Sequence, residues 1–107
     1  MKVAKTTGKQ HIMRDDAFEW DDTKAASNRL DHDVGFEVAR EAFKDVFAID
    51  WVDDGQDERE DRFATVGMVE NRLLFVSYTL RGKRIRIISA RAAEPYERRR
   101  YHNENQT

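Results

Sequence analysis

RFATVGMVENRLLFVSYTLRGKRIRIISAR, residues 62–91, decides the fold. It holds three runs rich in β-branched and aromatic residues: Arg62 to Val69, Arg72 to Leu80 and Lys83 to Ala90. Only Glu70-Asn71 and Arg81-Gly82 part them, and such runs between turn residues read as strands. Connections of two or three residues join neighbouring antiparallel strands, because a parallel crossover needs a dozen residues or more. The stretch therefore predicts an antiparallel meander and disfavours a parallel α/β fold.

Working back from this meander, DDGQDERED (residues 53–61) has no apolar residue and reads as a solvated connection. Before it, Val46 to Val52 alternates Phe47, Ile49 and Trp51 against Ala48 and Asp50, a further strand. Phe36, Ala39, Ala42 and Phe43 recur at helical steps up to about Lys44. Phe18-Glu19-Trp20 reads as a short strand, with Asp21 or Asp22 as N-cap of a helix that stops near His32-Asp33. Forward from the meander, Glu94 and Pro95 open a last helix to about Asn103, with proline tolerated in the first turn. The expected fold is α+β in the order β-α-α-β-β-β-β-α: an antiparallel twisted sheet with helices packed mainly on one face. Residues 1–14, with Lys2, Lys5, Lys9 and Arg14 and no acid, read as a flexible basic extension, and 15–107 as one domain.

Composition narrows the function classes. Hydrophobic residues make up 39% of the 107, enough for one buried core. The absence of cysteine removes disulfides, thiolate nucleophiles and Cys-based metal sites. No apolar run reaches signal-peptide or membrane-span length, so a cytoplasmic protein without membrane contact is expected. The phosphate-cradling GxxxxGK[ST], the dinucleotide GxGxxG, GxSxG and HExxH are all missing. The acids at Asp53, Asp54, Asp57 and Asp61 lack the calcium-loop pattern, so neither a metal nor another cofactor is expected. The net charge of −2 conceals an asymmetry: residues 1–62 hold 10 Lys+Arg against 17 Asp+Glu, a net of −7, and residues 63–107 hold 9 against 4, a net of +5. The C-terminal part is thus the polyanion-facing candidate.

Within it, strand alternation sends Arg84 and Arg86 to one face and Ile85 and Ile87 to the other. Guanidiniums in a rigid row suit bidentate phosphate contacts and the extra charge of a phosphorane-like transition state; a basic edge that merely blunts aggregation has the same composition. Arg81, Lys83, Arg91 and Arg98 add positive charge nearby in sequence, and Tyr78 offers a hydroxyl or a base-stacking ring. His32 is the natural acid–base group, since imidazole titrates near neutrality, although a histidine at a helix end often caps or simply faces solvent.

A family resemblance runs from Phe18 to about His102. Phe18-Glu19-Trp20-Asp21 with Lys24 and Asn28, then Phe36, Glu37, Ala39, Val46-Phe47, Glu60, Arg62-Phe63 and Gly67 are similar to the BrnT ribonuclease toxins. Gly82, Ile85 to Arg91 (IRIISAR), Glu97-Arg98 and Tyr101 resemble that family's signature most strongly. The resemblance implies a RelE-like fold, cleavage of RNA, and a neighbouring BrnA-like antitoxin that binds DNA through a ribbon-helix-helix segment and neutralises the toxin. Contact with DNA would then come only through that antitoxin.

The leading reading is a metal-independent ribonuclease toxin in which His32 is the acid or base, Arg84, Arg86 and Arg91 bind the phosphates, and Lys24, Tyr78, Arg81, Lys83 and Arg98 are further RNA contacts. One departure stands out. Where the family reads N-x-x-K-H-G, this chain reads Asn28-Arg29-Leu30-Asp31-His32-Asp33. Asp31 and Asp33 place two negative charges beside His32 that repel RNA. The alternative to a working ribonuclease is therefore a catalytically weakened relative that binds the antitoxin as a regulatory component.

Overall fold

The computed structural model describes residues 11–53 and 61–106; most of the basic extension and of the acidic connection lies outside these residues. Strands β1 (Ile12–Arg14) and β2 (Phe18–Asp21) lead into helices α1 (Asp22–His32) and α2 (Phe36–Ala39), the latter continuing as a 3₁₀ turn, Arg40–Lys44. Strands β3 (Ile49–Val52), β4 (Phe63–Val69), β5 (Arg72–Arg81) and β6 (Arg84–Ala92) follow, and helix α3 (Pro95–Glu104) closes the described chain. The sheet order is β1-β2-β6-β5-β4-β3.

The α+β reading and the antiparallel meander of β3 to β6 hold. Both of its tight turns place their first residue in the left-handed region, Glu70 at φ 55° and Gly82 at φ 59°. Two expectations are corrected. The sheet is mixed, because β2 pairs parallel with β6, Phe18 opposite Ile85 and Glu19 opposite Arg86. The antiparallel rule binds only strands joined by short loops, and residues 22–83, more than half of the chain, intervene between these two. The element order also gains a strand at its start, since Ile12–Arg14, read as part of the extension, pair antiparallel with β2.

Each cap has a local cause. The Asp21 carboxylate accepts from the amides of Thr23 and Lys24 at the start of α1, and Asp33 ends that helix at φ 58°. Glu94 and Glu97 form a capping box around Pro95 at the start of α3. The Asn28 side chain both accepts from Ala90 N–H and donates to Ala90 C=O, taking the place of a strand partner where β2 has ended, and donates to Val34 C=O as well.

The helices lie on both faces of the sheet. On the first, α1, α2 and the 3₁₀ turn bury Trp20, Phe36, Ala39, Ala42, Leu74, Val76, Ile87 and Ala90. There the chain approaches β4 so closely that a Cβ on Gly67 would stand 2.4 Å from the Ala42 carbonyl oxygen, which requires glycine. On the second face α3 seals one end, over Ile49, Val66, Leu73 and Phe75, with Tyr101 as its wedge. Helices thus pack mainly on one face, as expected, with α3 as the exception on the other.

Candidate functional site

Residues of the second face not sealed by α3 form a cationic strip. It is built by register. Arg86 stands opposite Glu19 on one side and Thr79 on the other, and Arg14 stands opposite Glu19 from β1, so the three side chains share a face. The Glu19 side chain is only 5% exposed and accepts at both oxygens: Oε1 from Arg14 Nε at 3.2 Å and Oε2 from Arg86 Nη1 at 2.7 Å. Burial pushes the Glu19 carboxyl up, but the hydrogen bonds from Arg86 and Arg14 outweigh it and hold the group below the ordinary carboxylate range. Arg84, further along β6, donates from Nε to the Asp15 carbonyl at 2.7 Å. Two guanidiniums thus share one carboxylate, with a third beside them on the strip.

A β-bulge sets what else joins them. Ser77 faces Ser89 but Tyr78 faces Ile87, so Ile88 is an extra residue in β6. Simple alternation from Arg86 would turn Arg91 to the first face. The bulge returns it to the second, opposite Phe75, whose ring it overlies at 4.1 Å. There Arg91 is committed: Nη1 and Nη2 donate to the two oxygens of Glu97 at 2.8 and 2.9 Å. The Glu97 side chain is fully enclosed, and although burial pushes its carboxyl up, Arg91 and the Glu94 amide hold it below the ordinary range. Arg91 fastens α3 to the sheet.

The structure brings together some of the residues selected from sequence and separates others. Arg84 and Arg86 share the strip, and exposed Arg81 and Lys83 extend it at the β5–β6 turn. Tyr78 is on the opposite face, where the sheet stands between it and the arginines. It packs against Phe43 and Phe63 with ring centroids at 5.0 and 5.6 Å, and burial together with the Asp50 charge pushes its hydroxyl up to about 12. Lys24 and His32 ride exposed on α1, which packs through Ala25 on the first face and through Asn28 on the β6 edge. Among the described residues His32 makes no side-chain hydrogen bond or ion pair. Arg98 is exposed on α3.

Two members of the strip escaped selection. Arg14 lay among the basic residues assigned to the extension, and Glu19 looked like one polar position in a short strand. The bulge did leave a sign: Ile87-Ile88 puts two large apolar residues side by side and breaks the alternation.

Fold and strip together define a small α+β domain whose partly open sheet face carries a concentrated positive charge around one buried carboxylate. Residues 20–97 match the family described as "Ribonuclease toxin, BrnT, of type II toxin-antitoxin system", and the chain belongs to that family. Membership implies an RNA target and an antitoxin partner. No curated protein matches the chain significantly. Among the described residues no helix is long and apolar enough to cross a membrane.

Proposed function

We propose that the protein cleaves RNA by metal-independent acid–base chemistry on the open part of the second sheet face, and that an antitoxin of the BrnA type silences it by covering that face. The observation that carries this reading is the convergence of Arg14, Arg84 and Arg86 on one strip, with the buried Glu19 carboxylate accepting from two of them. Guanidiniums fixed on strands are suited to bind a phosphodiester and to gain contacts as charge develops on it. Arg81, Lys83 and Arg98 would prolong the contact with RNA. Arg91 would act indirectly, through the seating of α3. His32 would serve an RNA chain that reaches from the strip to the end of α1, with Lys24 on the same helix.

Purified protein incubated with RNA at low salt in a chelator tests the proposal. Cleavage that survives chelation and falls in Arg86→Ala supports it; RNA left intact across pH overturns it. His32→Ala with unchanged rate would remove His32 from the chemistry.

One observation favours the weakened relative as a second reading. Asp33, where the family has glycine, sits at φ 58° beside His32 with Asp31 on the other side, so this helix end bears both backbone strain and repulsion toward a polyanion. Induced expression separates the two readings. Growth arrest by the wild type supports the ribonuclease, and arrest only after Asp31→Lys with Asp33→Gly supports the weakened form.

A further inference from the structure

We infer that Glu19 is the general base of this cleavage, held in place between Arg14 and Arg86; the inference rests on the ribonuclease reading above. The geometry differs from that of a structural ion pair. Arg86 reaches Glu19 through Nη1 alone and Arg14 through Nε alone, while their side chains remain 19% and 54% exposed. Each guanidinium therefore keeps N–H donors that Glu19 does not use. A phosphodiester drawn to those donors arrives beside a carboxylate that is otherwise enclosed.

Among the described carboxylates around the strip, Asp16 lies exposed beside Arg81, Lys83 and Arg84 at the β5–β6 turn, and the others are occupied elsewhere. Asp15 accepts from the amides of Ala17 and Phe18 and pairs with Arg40 at 2.8 Å, Asp21 caps α1, and Glu97 is closed under α3.

The chemistry balances without a further reactant. The 2′-hydroxyl gives its proton to a Glu19 oxygen as the 2′-oxygen forms a bond to phosphorus. The bond from phosphorus to the 5′-oxygen breaks, and that oxygen takes a proton from water. The products are a 2′,3′-cyclic phosphate and a 5′-hydroxyl end. The charged groups facing Glu19 are Arg14 from β1 and Arg86 from β6. As the phosphate draws on both, the carboxylate loses hydrogen bonds that stabilised its charged form, so it becomes a stronger base when substrate is bound.

The test uses the full chain and an oligoribonucleotide in a chelator, with kcat and KM measured from about pH 3 to pH 8. Glu19→Gln is expected to lower kcat by about 10²-fold or more with KM within about threefold. It should also abolish the acidic limb of the rate profile, and Glu19→Asp should recover part of the rate. In the wild type the acidic limb of kcat is expected at higher pH than that of kcat/KM, a comparison that stands even if Glu19→Gln fails to fold. Coincident limbs, or a Glu19→Gln protein that keeps its limb or its rate, would overturn the assignment. If Arg86→Ala loses cleavage while Glu19→Gln does not, the base assignment falls and the ribonuclease stands; a wild type that leaves RNA intact overturns both.

Discussion

Two arginine–glutamate contacts occupy the same face of β6, five residues apart at Arg86 and Arg91, and they do opposite things. At Arg91 one guanidinium spends two parallel hydrogen bonds on one enclosed carboxylate, and the pair is electrically closed. At Arg86 one carboxylate is shared by two guanidiniums through single contacts, which leaves positive charge and unused donors facing outward. The residue types are the same, and the difference lies in stoichiometry and cover. A carboxylate delivered by α3 from above seals its arginine. One delivered by β2 from the side leaves the arginines open to a third group. An arginine's presence on a strand therefore says little about its task until its partners have been counted.

This comparison can be broken at either end. The largest effect is expected at the sealed pair: Glu97→Ala leaves Arg91 without its partner, removes the capping box, and should cost about 3–5 kcal/mol in denaturant unfolding. For a domain of this size that is a large part of the total stability. At the open pair, Arg86→Ala should lower kcat/KM for RNA by about 10²-fold, near 3 kcal/mol of transition-state stabilisation, with a much smaller loss of stability. If instead Arg86→Ala unfolds the protein and Glu97→Ala spares it, the contrast drawn between the two pairs is wrong.

Titration sharpens the same contrast. The Glu97 and Asp45 carboxyls are both held below their ordinary values, Asp45 because the hydrogen bonds from Tyr101, Met68 N–H and Phe47 N–H outweigh its burial. A depressed folded pKa contributes stability that is present above the unfolded value and lost as pH falls through the folded one. Acid unfolding should therefore begin below the ordinary value of 4.5 for glutamate, and Glu97→Gln should flatten it.

Tyr101 gives the mirror case. Burial and donation to Asp45 Oδ2 at 2.6 Å raise its hydroxyl from 10.0 to about 12. Its contribution is complete below pH 10.0 and fades as pH rises toward about 12, which an ultraviolet titration would follow. Tyr101→Phe should cost about 1–2 kcal/mol at neutral pH in the same unfolding assay.

The smallest effect is expected at Asp33. Asp33→Gly relieves a residue at φ 58° and should raise stability by up to about 1 kcal/mol, visible as a higher Tm. A drop would mean that the Asp33 side chain contributes more than its backbone costs.

Much of the fold was legible because it is local. The Asp21 cap, the helical spacing of Phe36, Ala39 and Ala42, and the two short turns of the meander each follow from a few adjacent residues. What was not legible depends on distant partners. Ile12–Arg14 is too short to show a period, and its pairing with β2 is visible only once both are placed. The match of Phe18 with Ile85 joins opposite ends of the domain, so no local spacing encodes it.

The candidate site divides in the same way. The arginines were conspicuous as a row, whereas their partners Glu19 and Glu97 come from another strand and a helix. Tyr78 was selected for its chemistry alone, although the two-residue turn already pairs it with Ile87, on the face opposite Arg84 and Arg86.

The bulge that absorbs the extra residue of β6, Ile88, restores the parity of everything after it. A chain lacking Ile88 would run through this point as a regular strand, with Ser89 still opposite Ser77, Ala90 still against Asn28 and Val76, and Arg91 still opposite Phe75, whereas one residue more, without a second bulge, would turn Ala90 outward and drive Arg91 toward Trp20 and Phe36. The loss of that single codon would thus leave inside and outside as they are, and the gain of one would exchange them over the end of β6 and take from α3 the arginine that fastens it.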